Sequence, residues 1–116
     1  MYEIEYYIEN NKSPVYEFIS ELNIKEQAKT LREIDLLSEF GLPLGFPHIS
    51  KMVGTDLWEL RIKHSSNHFR IFYFCFTNNK FVLLHGIRKT TNKTPKGDLE
   101  LATKRMKIYL QGSELK

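Results

Sequence analysis

The alternation of apolar and polar residues predicts strands at the start of the chain and again through its middle. Near the N-terminus Ile4, Tyr6 and Ile8 alternate with glutamates, which is typical of a half-buried strand. The two-residue period returns later in four predicted strands, at 49–53, 57–63, 69–76 and 80–87. The third of these is apolar on both faces, so we expect it to lie in the centre of the sheet.

A period of three to four residues predicts two consecutive helices between the first strand and the others. Ser13 and Pro14 provide an N-cap and a first-turn proline for one helix. Asn23 and Glu26 have the spacing of a capping box and open the next helix, which Gly41 ends. We expect the buried stripe of this second helix to contain Ile24, Ala28, Leu31, Ile34, Leu37 and Phe40.

A third helix is predicted after the last strand, opened by Thr94 and Pro95. Its apolar stripe contains Leu99, Ala102, Met106 and Tyr109. The element order is therefore β-α-α-β-β-β-β-α, and the predicted fold class is α+β. We expect one domain over residues 1–116, with an antiparallel meander and the helices packed on one of its faces.

Charge is distributed unevenly along the chain, although the net charge is only +3. Residues 1–50 contain four basic and nine acidic residues, a net charge of −5. Residues 51–96 contain nine basic and two acidic residues, a net charge of +7. This asymmetry indicates a polyanionic partner for the middle of the chain. The alternative is a basic region that the acidic helices of the same chain neutralise.

Several classes of protein are disfavoured by what the sequence lacks. It has no glycine-rich phosphate loop, no nucleophile elbow and no HExxH helix. The single cysteine, Cys75, argues against an internal disulfide and against a cysteine-rich zinc site. No apolar run approaches the ~18 residues of a membrane span, and the N-terminus lacks the pattern of a signal peptide. We therefore expect a cytoplasmic protein without metal, cofactor or membrane contact.

Cations on the predicted sheet are the main candidates for chemistry. Arg61 and Lys63 share the face of Glu59, opposite Trp58. Arg70 is the only charged residue of its strand, and a lone arginine there is costly unless it meets solvent or a partner. Arg70 either binds a ligand or pairs with Glu59 across the hairpin. The two roles are compatible, because an ion pair can also hold the arginine in place for a ligand.

The end of the last strand adds a second group of polar residues. Arg88 and Lys89 lead into Thr90-Thr91-Asn92-Lys93-Thr94, where hydroxyl, amide and ammonium groups suit phosphate oxygens. The alternative is a solvated connection. Of the four histidines, we expect His64 and His68 to be exposed beside a turn, and we favour His85 over His48 for a chemical role.

Four sequence blocks together resemble a known family. They occur in the order LWELR at 57–61, FRIFY at 69–73, LLHGIRK at 83–89 and KTP at 93–95. In this order the chain is similar to the phage-derived branch of RelE/HigB-type toxins, over nearly its whole length. The resemblance implies the RelE/ParE fold, ribosome-dependent cleavage of mRNA, and neutralisation by a HigA-like helix-turn-helix antitoxin.

The resemblance also implies which residues act. Functional residues in RelE relatives are mainly cations on the sheet and its edge. The resemblance assigns this role to Arg70 and Arg88. Lys89 lies next to Arg88, and Lys51 is a less secure match. Tyr109 is expected to be core and receives no role.

RNA carries its own nucleophile, the 2′-hydroxyl, so the protein must supply orientation, charge and proton transfer. The predicted catalytic residues are Arg61, Arg70, Arg88, Lys89 and His85, with His85 or a lysine of lowered pKa moving protons. The predicted RNA-binding residues are Lys51, Lys63, His64 and Lys93.

Two other functions are compatible with the same features. A ParE-like toxin has this fold, acts on DNA gyrase by protein contact and cleaves nothing. A non-catalytic nucleic-acid-binding module would bind with strong salt dependence and would not arrest growth.

Overall fold

A computed structural model describes residues 1–90 and 94–114 of the chain. Three α-helices and five strands follow one another in the predicted order, with a short 3₁₀ turn at Leu42–Leu44. The strands are β1 (Glu3–Tyr6), β2 (Ile49–Lys51), β3 (Trp58–His64), β4 (Asn67–Thr77) and β5 (Lys80–Lys89). The helices are α1 (Pro14–Ser20), α2 (Ile24–Phe40) and α3 (Lys96–Glu114). The predicted α+β class is confirmed.

The strands form one mixed sheet in the order β1-β5-β4-β3-β2. Neighbours from β2 to β5 run antiparallel, as predicted, whereas β1 pairs with β5 in parallel. The expectation of a purely antiparallel sheet was therefore wrong. Two helices separate β1 from the other strands, so no tight turn dictates its direction, and it joins the sheet beside the last strand.

Helices cover both faces of the sheet, which corrects the expectation that they pack on one face. Side chains of α1 and α2 pack with Leu60, Ile71 and Leu83 on one face, called here the α2 face. Ala102 and Met106 of α3 pack with Phe72 and other residues on the opposite face, the α3 face. Because β4 is apolar on both faces, the sheet must be covered on both sides.

The local signals for the ends of α1 and α2 are confirmed. Ser13 accepts a hydrogen bond from the backbone N–H of Tyr16, and Pro14 occupies the first turn of α1. Asn23 and Glu26 form both hydrogen bonds of a capping box. Gly41 ends α2 with a φ of 67°, a conformation that favours glycine. These features depend on neighbouring residues, which is why the sequence predicts them well.

The buried face of α2 differs from the predicted one. Ile24 is 83% exposed and Leu31 is 46% exposed, although both belong to the predicted apolar stripe. Glu26, Thr30 and Glu33 are buried instead, together with Ile34 and Leu37. The helix is rotated so that two carboxylates face the sheet, where Glu26 meets Arg88 and Glu33 meets His48. The ion pair of Glu26 and the hydrogen bond of Glu33 therefore accompany the burial of this face of α2, which the apolar pattern alone does not predict.

None of the helices within the described residues is long and apolar enough to cross a lipid bilayer.

Candidate functional site

A basic groove lies at the end of the sheet where β3 finishes and β4 begins. Its volume is about 490 Å³. Along β4 the apolar cluster beneath α3 starts at Phe72, so Arg70 lies beyond the cover that this helix provides. The lining residues are Arg61, Ser66, Asn67, His68, Arg70, Arg88, Lys89 and Thr90. Four of the five predicted catalytic residues therefore lie together, and His85 is the exception.

The centre of the basic groove is a pair of arginines that share one carboxylate. Arg61 and Arg70 are direct partners across the β3–β4 ladder. The buried Glu59 places a carboxylate oxygen 3.7 Å from Arg61 Nη1 and 3.4 Å from Arg70 Nε. Like charges that face each other repel, and one carboxylate neutralises only half of this pair. The two arginines therefore retain net positive charge in a partly desolvated position.

Lys89 adds a further cation to the same groove. It is the cross-strand partner of His68, two residue pairs beyond the pair of Arg70 and Ile87. Partial burial lowers the pKa of Lys89; Glu59 opposes this effect, while Arg70 and Arg61 add to it. Burial likewise lowers the pKa of Arg70, and the adjacent Arg61 contributes. An anion bound among these groups would relieve both the repulsion and the incomplete pairing.

Arg88 joins the basic groove from the other side of the sheet. Its guanidinium lies 4.8 Å from the centre of the Phe69 ring and 3.6 Å from the carboxylate of Glu26. Glu26 also accepts a hydrogen bond from Asn67 at 3.0 Å. The backbone N–H of Asn23 lowers the pKa of Glu26, partial burial opposes this, and Arg88 and Asn67 lower it further. Arg88 is thus held at the rim, about half exposed.

His85 is integrated into the interior of the molecule, beneath α3. Its Nε2 lies 2.7 Å from a carboxylate oxygen of Asp98, and Arg105 donates to its Nδ1 at 3.2 Å. Because arginine can only donate, Nδ1 carries no proton and the ring N–H is on Nε2, facing Asp98. Arg105 in turn bonds the carbonyl of Leu84 and lies 3.6 Å from Glu9. The predicted proton-transfer role of His85 thus falls on a side chain whose two nitrogens are both occupied.

The predicted RNA-binding residues are dispersed. Lys63 is exposed and pairs with His68 at the groove end of the sheet. Lys51 pairs with Trp58 at the far end of β3, where its ammonium donates to the carbonyl of Thr55. Lys93 lies outside the described residues. His64 and His68 are half-buried, which corrects the expectation that they are exposed, because they sit within the β3–β4 ladder.

Two residues beside the basic groove are not among the predicted site residues. Phe46 is 75% exposed, and its ring lies 4.9 Å beneath the guanidinium carbon of Arg61. His48 lies at the edge of β3, with its Nδ1 2.9 Å from the buried carboxylate of Glu33. Neither contact has a local sequence signature, because the partners are 15 residues apart in each case.

The groups in the basic groove suit an anion. Arginine forks match the geometry of phosphate oxygens, and Ser66, Asn67 and Thr90 add neutral polar groups. Within residues 1–90 and 94–114, no three His, Cys, Asp or Glu side chains are grouped closely enough to hold a metal ion. The arrangement is therefore able to orient a phosphodiester and to neutralise its charge.

Comparison with known proteins identifies one relationship. The family model described as phage derived protein Gp49-like (DUF891) matches residues 17–107, which is most of the chain. That span contains every residue that lines the basic groove. A search of curated proteins gives no match.

Proposed function

The chain belongs to the phage-derived Gp49-like family (DUF891), a toxin-like family of toxin–antitoxin systems, and on that premise we propose that it cleaves mRNA on the ribosome. Growth arrest would follow from the loss of translated messages. The HigB-type resemblance of the four sequence blocks points to the same reaction. Because ribosomes are the site of action, the proposal also places the protein in the cytoplasm.

The observation that carries this proposal is the excess of positive charge in the basic groove. Arg61, Arg70 and Lys89 converge around one carboxylate, that of Glu59. A phosphodiester would contribute the missing negative charge and would accept hydrogen bonds from both guanidinium groups. Charge developing on the phosphorus oxygens in the transition state would be stabilised more strongly than the ground state.

RNA is favoured over DNA as the substrate because it carries the attacking group. The 2′-hydroxyl lies beside the phosphodiester that is cut, so neither a metal ion nor a protein nucleophile is needed. The exposed ring of Phe46, which contacts Arg61, offers a stacking surface for an unpaired base. Single-stranded message in a ribosomal site presents its bases unpaired in this way.

The residues of the basic groove would divide the work. Arg61 and Arg70 hold the scissile phosphate, and Arg88 at the rim binds the neighbouring phosphate once it leaves Glu26. Lys89, whose pKa partial burial lowers, is suited to donate a proton to the departing 5′-oxygen. The reaction would leave a 2′,3′-cyclic phosphate and a 5′-hydroxyl.

The partner that restrains the toxin would be an antitoxin, as the family implies. By the HigB-type resemblance we propose a helix-turn-helix protein of the HigA kind. An acidic segment of such a protein over the basic groove would compete directly with RNA.

Primer extension after induced expression tests the proposal. We expect new message 5′ ends within codons of translated regions, and none when translation initiation is blocked. Growth arrest with intact messages and inhibited gyrase would instead identify a ParE-like toxin. Salt-dependent RNA binding without growth arrest would identify a non-catalytic module. Either result would refute cleavage.

A further inference from the structure

A histidine and a buried glutamate meet at the open edge of β3, beside the basic groove. The short strand β2 begins at Ile49, opposite Leu60, so the ladder with β2 ends there. One residue further, the backbone N–H of Arg61 donates to the carbonyl of His48 at 2.8 Å. This contact fixes the loop residue His48 against the strand that carries Arg61.

The imidazole of His48 is oriented by α2. Its Nδ1 lies 2.9 Å from one oxygen of Glu33, and Lys29 lies 3.3 Å from the other oxygen. Since Glu33 is a carboxylate held between two donors, Nδ1 carries the proton and Nε2 keeps its lone pair. Among the described residues, Nε2 of His48 has no hydrogen-bond partner. The His48 side chain is 38% exposed, whereas that of Glu33 is only 4% exposed.

The imidazole of His48 belongs to the same small cavity as the arginines of the proposed site. His48 and Glu33 line a cavity of about 220 Å³ that also contains Arg61 and Arg70. This cavity shares Arg61, His68 and Arg70 with the basic groove, so the two spaces adjoin. Across the sheet the order is Lys89 on β5, Arg70 on β4, Arg61 on β3 and His48 at the outer edge. A phosphate on the arginines would therefore lie between the strand that carries Lys89 and the sheet edge that carries His48.

The comparison with His85 is informative. Both histidines lie next to a carboxylate, but Arg105 donates to the second nitrogen of His85. His85 could accept a proton only by losing that bond. His48 can accept one on Nε2 while it keeps its bond to Glu33, which then stabilises the imidazolium that forms.

We propose that His48 is the general base of the RNA cleavage proposed above and that Glu33 is its positioning residue. The inference rests on that proposed function. His48 Nε2 takes the proton of the 2′-hydroxyl while the O2′–P bond forms and the P–O5′ bond breaks. Lys89 gives a proton to the leaving 5′-oxygen. His48 then releases its proton to water and Lys89 regains one, so the enzyme returns to its initial state.

Single-turnover cleavage of a defined message on purified ribosomes tests the pair. H48Q replaces the imidazole by an amide that has no basic nitrogen, and we expect the rate to fall by ~10²–10⁴-fold. E33Q should lower the rate by roughly 10–100-fold. Both variants should melt near the wild-type temperature and bind single-stranded RNA unchanged. E39Q, at an exposed glutamate of the same helix, serves as the matched control and should cleave at the wild-type rate.

The pH dependence separates a proton-transfer role from a structural one. The pH–rate profile of the wild type should contain a rise that requires a basic side chain, and H48Q should lose that rise. The charged and titratable groups around His48 are Glu33 and Lys29 on α2, Arg61 and Lys63 on β3, and His68 and Arg70 on β4. Nitrogen-15 NMR of the ring should find the proton on Nδ1 in the wild type.

The outcomes are distinguishable. If wild-type protein leaves the message intact, the proposed function fails and the role of His48 fails with it. If the wild type cleaves and H48Q cleaves equally fast with the same pH profile, only the role of His48 is refuted. A protonated Nε2 with a bare Nδ1 in the NMR spectrum would also refute it, whatever the activity.

Discussion

Arg70 and Arg105 are both buried arginines beside the α3 face of the sheet, and their surroundings differ. Arg105 is 8% exposed and meets the carbonyl of Leu84, His85 and Glu9 beneath α3. Arg70 is 6% exposed and shares the single carboxylate of Glu59 with Arg61. The first guanidinium meets three acceptors, two from β5 and one from the segment after β1. The second belongs to a cluster with more cations than anions.

The difference separates a structural arginine from a ligand-binding one. A buried charge that several acceptors surround stabilises the arrangement of elements around it, here α3 against β5 and the segment after β1. A buried charge that is only half paired costs stability, and a protein keeps it where a ligand completes the pairing. Removing the Arg70 side chain should therefore mainly reduce function, whereas removing the Arg105 side chain should mainly reduce stability.

The largest expected effect is on cleavage by the R70A variant. Glu59 keeps Arg61 as its partner, so the fold should survive while one phosphate ligand is lost. We expect the ribosome-dependent rate to fall by ~10²–10³-fold and growth arrest to be relieved. R88A, at the rim, should have a smaller effect in the same direction. If R70A and R88A both remain fully toxic, the basic groove is not the active site.

For R105M we expect a loss of stability rather than of cleavage. The substitution keeps the length of the side chain but removes its charge. Loss of the contacts to Leu84, His85 and Glu9 should lower the free energy of unfolding by about 2 kcal/mol, or roughly 10 °C in Tm. Thermal melting followed by circular dichroism measures this. K107M, at an exposed lysine of the same helix, is the control. An unchanged Tm for R105M would remove the distinction between the two arginines.

A moderate effect is expected from the pairing of Glu26 with Arg88. The pKa of Glu26 is lowered in the folded protein, by its capping hydrogen bond first and by Arg88 and Asn67 in addition. Because the pKa of Glu26 is lower in the folded than in the unfolded protein, its ionisation stabilises the fold above about pH 5. This stabilisation is lost as the pH falls below about 4. Denaturant unfolding at both ends of this range should find a smaller pH dependence in E26Q than in wild type. Equal pH dependence in E26Q and in the control E39Q would contradict this.

The smallest expected effect is a difference between two exposed lysines, Lys63 of β3 and Lys51 of β2, which lie near opposite ends of β3. Lys63 lies beside Arg61 at the groove end, whereas the Lys51 ammonium is bound to the carbonyl of Thr55. For a short single-stranded RNA, K63A should reduce the slope of log affinity against log salt by about 0.7, the value of one phosphate contact. K51A should leave the slope unchanged. If K51A lowered the slope and K63A left it unchanged, RNA would bind at the other end of the sheet.

The features that the sequence predicts correctly are mostly local ones. The Ser13 cap, the capping box at Asn23 and Glu26, and the strands with a two-residue period all depend on residues that are close in the chain. The central position of β4 was also predictable, because only a strand covered on both sides is apolar on both faces. The convergence of Arg61, Arg70 and Lys89 followed from strand alternation in two hairpins.

The features that the sequence misses depend on distant partners. Which face of α2 is buried is decided by Arg88 and His48, which bind Glu26 and Glu33 from other parts of the chain. The parallel pairing of β1 with β5 joins residues about 80 apart. His85 attracted attention by its position near a strand end, but its environment is set by Arg105 of α3, which is 20 residues further along the chain. Periodicity carries no signal for any of these contacts.

The most direct test of the central claim is NMR of the arginine side chains during titration with RNA. The oligonucleotide would carry 2′-O-methylribose at each position, so that no 2′-hydroxyl is free to attack a phosphodiester. We predict that the Nε–H signal of Arg70 shifts progressively and that added salt reverses the shift, while the signal of Arg105 stays in place. A shift of Arg105 without one of Arg70, or no shift of either, would contradict the assignment of the basic groove to RNA.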